Sequence, residues 1–253
     1  MKRLANKVSV ITGAAAGMGA EISRLFAAEG SKVVAADINK DGLKKLKKEI
    51  SDRGGEITTV KADMSSEDDI TRMIDLAVET YGSLDILVNN AGIMDNFKTV
   101  GEAGNELWDK VISVNLTGPF KASRAAVKVM EDQENGGVII NNASIGGLFG
   151  VRGGAAYVAS KHALIGLTKN MGATYGMYGN IRVNAIAPGG IETEIQRSID
   201  DPSELGMKAI NGFGDVPMDT SEAIANVALF LASDESRFVN GSVITADGGW
   251  TSG

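Results

Sequence analysis

The strongest constraint on the fold is the alternation of short, β-branched apolar runs with amphipathic stretches of helical length. Helical patterns lie near 18–30, 40–53, 67–81, 104–131, 157–177 and 220–232. Alternation of this kind produces right-handed βαβ crossovers and a parallel sheet with helices on both faces. The runs that predict its strands are Val8–Thr12, Lys32–Asp37, Glu56–Lys61, Ile86–Asn89, Gly137–Asn141, Ile181–Ile186 and Ser242–Ala246. We therefore predict an α/β fold, a Rossmann fold with a parallel sheet of about seven strands.

No Pro- or Ser-rich linker divides the chain, so residues 1–253 are predicted to form a single dinucleotide-binding and catalytic domain. The least regular stretch is about 188–218. Long connections in compact domains are usually binding loops or lids. This segment is therefore predicted to be a substrate loop.

Composition excludes several classes of function. The net charge of −7 argues against a nucleic-acid-binding surface, which needs clustered Lys and Arg. The chain has no cysteine and one histidine, so we expect neither thiol chemistry nor a metal site. No apolar run approaches the roughly 18 residues of a membrane span. Because residues 1–7 lack the apolar core of a signal peptide, a cytoplasmic location is expected.

A glycine-rich turn, Thr12–Gly19, follows the first predicted strand and opens the first helix. Glycines allow a sharp turn there and let a pyrophosphate reach the free N–H groups at the helix N-terminus. The spacing G-x3-G-x-G differs from the usual G-x-G-x-x-G fingerprint. Alone, it is equally compatible with a structural turn.

Asp37 and Asp63 end the second and third predicted strands. A carboxylate at position 37 can accept hydrogen bonds from ribose hydroxyls and would repel a 2′-phosphate. The neighbouring residues Ala14–Ala16, Ile38 and Asn39 offer no cation, so NAD is favoured over NADP. Asp63 is placed to meet the adenine ring. Either carboxylate could instead cap the helix that follows it.

Tyr157 and Lys161 are four residues apart at the start of a predicted helix and share one face. A nearby ammonium can lower the pKa of a phenol by roughly 1–3 units. The tuned tyrosine can then exchange a proton with a substrate oxygen while hydride moves to or from a cofactor. Ser144 would hydrogen-bond the same oxygen.

Asn115 lies in a long helical pattern that also contains Gly118 and Pro119. The helical partner of the Asn115 carbonyl would be the N–H of residue 119, which proline lacks. The carbonyl is therefore free to hold a water.

Together these motifs make the chain resemble the short-chain dehydrogenase/reductase family over essentially its whole length. The matching residues are Thr12-Gly13-x3-Gly17-x-Gly19, Asn89-Asn90-Ala91-Gly92, Asn115, Ser144, Tyr157-x3-Lys161, Pro188-Gly189 and Asp247-Gly248-Gly249. The resemblance implies a catalytic tetrad of Asn115, Ser144, Tyr157 and Lys161. It also implies a cofactor site of Gly13, Gly17, Met18, Gly19, Asp37, Asp63, Asn90, Ala91, Gly92, Tyr157, Lys161, Pro188, Gly189 and Thr193, the last at the nicotinamide carboxamide.

The expected activity is therefore NAD(H)-dependent interconversion of a secondary alcohol and a ketone, with Tyr157 as acid and base. A 3-oxoacyl-thioester (acyl-carrier-protein) reductase and a non-catalytic NAD-binding sensor or scaffold remain alternatives. The resemblance also implies a homotetramer. The glycine-rich segment 146–154 predicts either a roomy or mobile pocket or simple turns. The carboxylates of the long loop are expected either to be solvated or to take part in substrate choice; they are Glu192, Glu194, Asp200, Asp201 and Glu204.

Overall fold

In the computed structural model, which describes residues 2–212, 214 and 216–252, seven parallel strands form one sheet. Of residues 196 and 197 only the backbone is described, and residues 213 and 215 of the predicted loop lie outside the description. The spatial order of the strands is β3-β2-β1-β4-β5-β6-β9. The strands are β1 Val8–Thr12, β2 Lys32–Asp37, β3 Ile57–Lys61, β4 Ile86–Asn89, β5 Gly137–Asn142, β6 Ile181–Pro188 and β9 Val243–Ala246. The predicted parallel Rossmann sheet is confirmed.

The helices cover both faces of the sheet. They are α1 Gly17–Ala28, α2 Lys40–Asp52, α3 Glu67–Tyr81, α4 Asn105–Ile112, α5 Gly118–Glu131, α6 Ala155–Tyr178, α7 Glu204–Asn211 and α8 Ser221–Ala232. Alternate residues of β2 point to opposite layers: Val33 and Ala35 pack with α1, α2 and α8, and Val34 and Ala36 with α3. This burial on two sides explains why β2 reads as a continuous apolar run.

The predicted helix over 104–131 is wrong as one continuous α-helix. A π-helical segment, Ser113–Thr117, separates α4 from α5. The extra residue of a π turn comes just before Gly118 and Pro119, where proline cannot complete the α-helical bonding. The irregularity places Asn115 at the bend.

The 188–218 segment contains more regular structure than its sequence suggested. Strand β7, Gly190–Ile191, pairs with β8, Met218–Asp219, and helix α7 lies between them. Ser203 caps α7 by accepting a hydrogen bond from Gly206 N at 3.0 Å. The segment thus folds back on itself above the carboxyl end of β6.

Candidate functional site

Three adjoining cavities form one groove along the carboxyl ends of the strands. Their volumes are about 440, 230 and 280 Å³. Gly13, Asp37 and Ala91 line both the first and the second, and Met18 and Thr193 line both the second and the third. Ligands of open parallel sheets bind in this position. We refer to them as the adenine, phosphate and substrate cavities.

The turn before α1 fits a pyrophosphate. Gly13 and Gly17 have φ of +65° and +51°, and a Cβ on Gly19 would lie 2.1 Å from the carbonyl oxygen of Gly13. No side chain caps α1, and its first turn holds no acidic residue. Its leading N–H groups therefore face the phosphate cavity without competition from a neighbouring side chain, as anion binding requires.

Asp37 presents both carboxylate oxygens at the ribose end of this cavity. Oδ2 accepts a hydrogen bond from Ala15 N at 2.9 Å and Oδ1 one from Asn39 N at 2.8 Å. The N-cap of α2 is Asn39, which accepts from Gly42 N at 3.1 Å. Capping as the role of Asp37 is therefore wrong, and the residue instead fixes the glycine turn relative to β2.

Asp63 lines the adenine cavity with Asp37 and Gly92. Its Oδ1 accepts hydrogen bonds from the backbone N–H and the hydroxyl of Ser65, at 2.8 and 2.7 Å. Ser66 is the N-cap of α3, so capping is also excluded for Asp63. The carboxylate is held at the cavity wall by a local turn.

Asn90 connects the glycine turn before α1 to the centre of the sheet. Its Nδ2 donates to the carbonyl oxygen of Thr12 at 2.9 Å, and Thr12 Oγ1 accepts from the N–H groups of Asn90 and Ala91. Asn142 Nδ2 in turn donates to Asn90 Oδ1 at 2.8 Å. Because these bonds cross β1, β4 and β5, they hold the floor of the groove rigid.

Ser144 and Tyr157, two residues of the predicted tetrad, both line the substrate cavity. Ser144 Oγ accepts from Gly146 N at 3.0 Å. A Cβ on Gly146 would lie 3.3 Å from this oxygen and 3.2 Å from Tyr157 Cε1, so the two side chains are neighbours. Burial raises the pKa of Tyr157 above 10.0, the neighbouring Ser144 hydroxyl opposes that rise, and the charge of Asp95 adds to it. The pair faces a cavity whose other walls are mostly apolar.

Lys161 lies beneath Tyr157, with Nζ 5.6 Å from the centroid of the phenol ring. It is 4% exposed and donates to the carbonyl oxygen of Asn142 at 2.9 Å. Burial lowers the pKa of Lys161 to about 8. The expected lowering of the Tyr157 pKa by Lys161 is therefore not found in this structure, since burial disfavours the charged form of both groups.

Asn115 completes the predicted tetrad from the π-helical bend. Its side chain accepts from Ile93 N and donates to Ile93 O, each at 2.9 Å, and also donates to Ser160 Oγ at 3.3 Å. A Cβ on Gly92 would lie 3.4 Å from Asn115 Oδ1 and 3.6 Å from Lys161 Nζ. Ser144 and Tyr157 therefore line the substrate cavity, whereas Asn115 and Lys161 lie behind Gly92 in the wall of the phosphate cavity.

Glycines of the 146–154 segment serve close packing rather than a roomy pocket. A Cβ on Gly147 would lie 2.7 Å from the carbonyl oxygen of Lys161, and one on Gly153 would lie 2.5 Å from Tyr157 Cδ1. Among the glycines of this segment, only Gly150 has space for a Cβ with no other atom within 4 Å. These glycines let the segment lie directly against the catalytic helix.

The far wall comes from the 188–218 segment. Pro188 and Gly189 line the substrate cavity, and Gly189 would clash with Asp247 if it carried a Cβ, at 2.6 Å from Asp247 Cβ. Thr193 lies over the glycine turn, 3.4 Å from the position of a Cβ on Gly17. The described acidic side chains of this segment are exposed: Glu192, Glu194, Asp200, Asp201 and Glu204. Asp200 accepts from Asn96 Nδ2 at 2.9 Å, and Asp201 pairs with Lys98 at 2.8 Å. Those two carboxylates tie the segment to the loop after β4.

Asp95 is a residue of the site that the sequence reasoning missed. It is fully buried and accepts from Gly154 N at 3.0 Å, Phe97 N at 3.2 Å and Tyr157 N at 2.8 Å. Two of these N–H groups open α6, so the carboxylate caps the catalytic helix from another part of the chain. The motif Asn89–Gly92, which begins six residues before Asp95, gave no indication of this contact.

Replacing Asp95 by Asn is expected to destabilise the fold by roughly 2 kcal/mol, because an amide cannot accept all three hydrogen bonds. Loss of the negative charge also lowers the pKa of Tyr157, so the rise of alcohol oxidation with pH moves to lower pH. Urea unfolding and the pH profile of kcat/KM measure the two effects. Asp201→Asn, which removes an exposed carboxylate from the same neighbourhood, is the control; an unshifted profile in a folded Asp95→Asn protein contradicts the electrostatic role.

Within residues 2–212, 214 and 216–252, no cluster of three or more His, Asp or Glu side chains could hold a metal ion. No helix in the same part of the chain is long and apolar enough to cross a bilayer.

Comparison with known proteins identifies the family. Residues 13–251 match the family model described as enoyl-(acyl carrier protein) reductase. The chain is 45% identical over 250 residues to 3beta-hydroxysteroid dehydrogenase 2 of Eggerthella lenta, covering 98% of this chain and 96% of that one. It is 41% identical over 250 residues to the 3-oxoacyl-[acyl-carrier-protein] reductase FabG of Thermotoga maritima, covering 98% of each. The crystal structure of levodione reductase superposes with a TM-score of 0.89 at 34% identity, covering 99% of both chains.

The parallel sheet and the glycine turn, together with these relatives, therefore identify the protein as a nicotinamide-dependent oxidoreductase. The chain belongs to the short-chain dehydrogenase/reductase family, whose members use NAD or NADP.

Proposed function

We propose that this protein interconverts an apolar secondary alcohol and its ketone with NAD(H), and that a 3β-hydroxysteroid is the first substrate to test. The observation that carries the proposal is the placement of Ser144 and Tyr157 side by side in the wall of a mostly apolar cavity. That cavity opens directly into the groove that holds Asp37 and the glycine turn.

When bound, the nicotinamide supplies the hydride acceptor or donor. In alcohol oxidation, Ser144 would hold the substrate oxygen and the Tyr157 phenolate would take its proton. In ketone reduction, the Tyr157 hydroxyl would return the proton. Lys161 places an ammonium beneath the phenol, and Asn115 fixes the neighbouring backbone of Ile93. These roles require the relative positions of the four side chains to be fixed, although the side chains come from the end of β5, from α6 and from the π-helical bend.

Asp37 supports NAD rather than NADP as the cofactor. Its carboxylate lines both the phosphate and the adenine cavities, where a 2′-phosphate would be repelled. Of the described residues that line these two cavities, the basic one is Lys110, an exposed side chain of α4. No described cation lies on the Asp37 side to neutralise a second phosphate.

Apolar side chains line the substrate cavity and favour a hydrophobic ring over a sugar or polyol. They include Met94, Phe97, Ile145, Ile191, Ile195, Ile199, Ile210, Val216 and Met218. The relative from Eggerthella lenta, named for a 3beta-hydroxysteroid, agrees with this chemistry.

A 3-oxoacyl-thioester reductase is the second candidate, supported by the Thermotoga maritima relative. Asp37 and the net charge of −7 count against it, because such enzymes commonly use NADPH and need basic residues for an acidic carrier. A sensor or scaffold without turnover is disfavoured by the assembled tetrad. A homotetramer and a cytoplasmic location stay predictions; Trp108 on α4 and Phe120 on α5, 41% and 45% exposed, are consistent with a subunit contact at these helices.

The test compares wild type with Asp37→Ala and Asp37→Asn, using a 3-ketosteroid and an acetoacetyl thioester with NADH or NADPH. We expect wild type to reduce the steroid with NADH. The Asp37 variants should lose roughly 10- to 100-fold in kcat/KM for NADH, because a charge-assisted hydrogen bond to the ribose is lost. The ratio of kcat/KM for the two cofactors measures the change in preference.

Asp41→Ala is the matched control, since Asp41 is an exposed carboxylate in the first turn of α2. Asp37→Asn keeps one acceptor for Ala15 N and so separates charge from local folding. A persistent preference for NADH in both variants would remove Asp37 as its cause. Preference for the thioester with NADPH would select the second candidate.

A further inference from the structure

The turn after β4, Asp95–Lys98, contains two consecutive residues with a left-handed backbone, and we refer to it as the left-handed turn. Asn96 and Phe97 both have φ of +54°. Asparagine tolerates such a φ, but it is uncommon for a bulky aromatic residue and persists only where surrounding contacts require it. Phe97 also lines the substrate cavity. Contacts of the turn must therefore hold this unfavourable backbone in place at the functional site.

On one side, the left-handed turn packs against the start of α7. Ser203 N donates to the carbonyl oxygen of Asn96 at 2.9 Å, and Asn96 Nδ2 donates to Asp200 Oδ1 at 2.9 Å. A Cβ on Gly206 would lie 2.1 Å from the carbonyl oxygen of Phe97. The first turn of α7 therefore lies directly on the left-handed residues and leaves no space for a methyl group.

On its other side, the left-handed turn holds the start of the catalytic helix α6. Asp95 accepts from Gly154 N at 3.0 Å and from Tyr157 N at 2.8 Å. The carbonyl oxygen of Lys98 accepts from Ala155 N at 2.9 Å. A Cβ on Gly154 would lie 2.5 Å from Asp95 Oδ2 and 2.6 Å from Lys98 N. Three amides at the start of α6, including that of Tyr157, are thus bound to the turn.

We propose that α7, by packing on the left-handed turn, positions Tyr157 for proton transfer. Interiors packed this closely transmit a displacement instead of absorbing it. When α7 moves away, the turn loses contacts that keep Phe97 at its unfavourable φ, and the amides bound to Asp95 move with the turn. Asn96 and Gly206 are therefore positioning residues. The inference rests on the proposed function, because Tyr157 is the proton carrier of that reaction.

Gly206→Ala tests the link without a change of charge. Alanine favours a helix more than glycine does, so α7 itself should stay folded, but its new methyl group must move α7 away from the Phe97 carbonyl. Hydrogen exchange of the full-length protein, read by mass spectrometry, needs no turnover. We expect exchange in a peptide covering residues 154–157 to become roughly 10-fold faster. Gly101→Ala is the matched control, because a Cβ on Gly101 in the same loop would meet no described atom within 4 Å.

Asn96→Gly weakens the same contact from the side of the turn. Glycine adopts a left-handed φ readily, so the turn can still form, but both side-chain bonds between Asn96 and Asp200 are lost. Exchange at residues 154–157 should rise in this variant too. It therefore tests the link even if Gly206→Ala fails to fold.

Kinetics separate positioning from the loss of a cavity wall. Gly206→Ala should lower kcat for reduction of a 3-ketosteroid by roughly 10- to 100-fold, as expected for a misplaced reacting group. Loss of a wall alone would raise KM and leave kcat unchanged. Combined with Asp95→Asn, the effect on kcat should be less than multiplicative, because both substitutions disturb the same amides.

Unchanged exchange at residues 154–157 in both variants, a raised KM with unchanged kcat, or multiplicative effects in the double variant would overturn the positioning role. Turnover by wild type judges the proposed function separately. Steroid turnover with unchanged exchange in both variants would reject the link alone. Faster exchange in a protein that reduces no ketone would support the link between α7 and α6 and reject the proposed function.

Discussion

Tyr157→Phe is expected to lower kcat for alcohol oxidation and ketone reduction by about 10³- to 10⁴-fold, the upper range for a general acid–base group. The phenol lies beside the Ser144 hydroxyl in the wall of the substrate cavity. Phenylalanine keeps the ring that packs against Gly146 and Gly153, so the helix and the cavity wall should remain in place. Steady-state kinetics and the Kd of NADH by fluorescence are measured together.

NADH binding should change by less than about 3-fold, since the glycine turn and Asp37 supply contacts that the substitution leaves intact. Tyr175→Phe is the matched control, because Tyr175 lies on the same helix and packs into the core away from the substrate cavity. Turnover retained in a folded Tyr157→Phe protein would contradict the acid–base role. Absence of turnover in wild type with every substrate, alongside tight NADH binding, would favour the sensor alternative.

Local patterns predicted most of the fold and the shared helix face of Tyr157 and Lys161. Strand β2 appears as a continuous apolar run because both of its faces are buried, and Tyr157 and Lys161 share a helical face because of their spacing alone. Ser203 after Pro202 also signals the start of α7, although that helix was not predicted. A pattern confined to one turn or one strand predicts structure well, because it depends only on residues that are close in the sequence.

Contacts made across the chain could not be predicted in this way. Asp95 caps a helix 59 residues away from it, at Gly154, and Trp250 meets Arg152 from the opposite end of the sequence. The π-helical bend at Asn115 depends on packing around Gly118, where a Cβ would lie 2.5 Å from the carbonyl oxygen of Met64. The direction of the Tyr157 pKa shift also depends on burial, which spacing alone does not reveal.

Lys161→Met is expected to reduce kcat by at least about 10²-fold and, at neutral pH, to make the protein more stable. Lys161 is 4% exposed, and burial lowers its pKa to about 8 from 10.5. Holding the ammonium in the fold therefore costs up to roughly 3 kcal/mol, at about 1.4 kcal/mol per pH unit. Methionine fills a similar volume without a charge, although it leaves the Asn142 carbonyl without the lysine bond.

The protonation of Lys161 determines how the difference in stability between wild type and Lys161→Met should change with pH. Below pH 8 both the folded and the unfolded chain carry the Lys161 charge, and the folded chain bears its full desolvation cost. Between pH 8 and 10.5 the unfolded chain binds more protons, so this group makes wild type more stable as pH rises. The stabilisation gained by Lys161→Met should therefore be largest below pH 8 and shrink towards pH 10.5.

Urea unfolding of wild type and variant at pH 7 and pH 10 measures the difference, with Lys169→Met as control because Lys169 is exposed on the same helix. If Lys161 served only to support the fold, its substitution would make the protein less stable. If Lys161 is retained for chemistry despite its desolvation cost, the variant should lose activity while its fold becomes more stable. Equal losses of stability and activity in Lys161→Met would show that the residue supports the fold, and the role of its ammonium beneath Tyr157 would have to be abandoned.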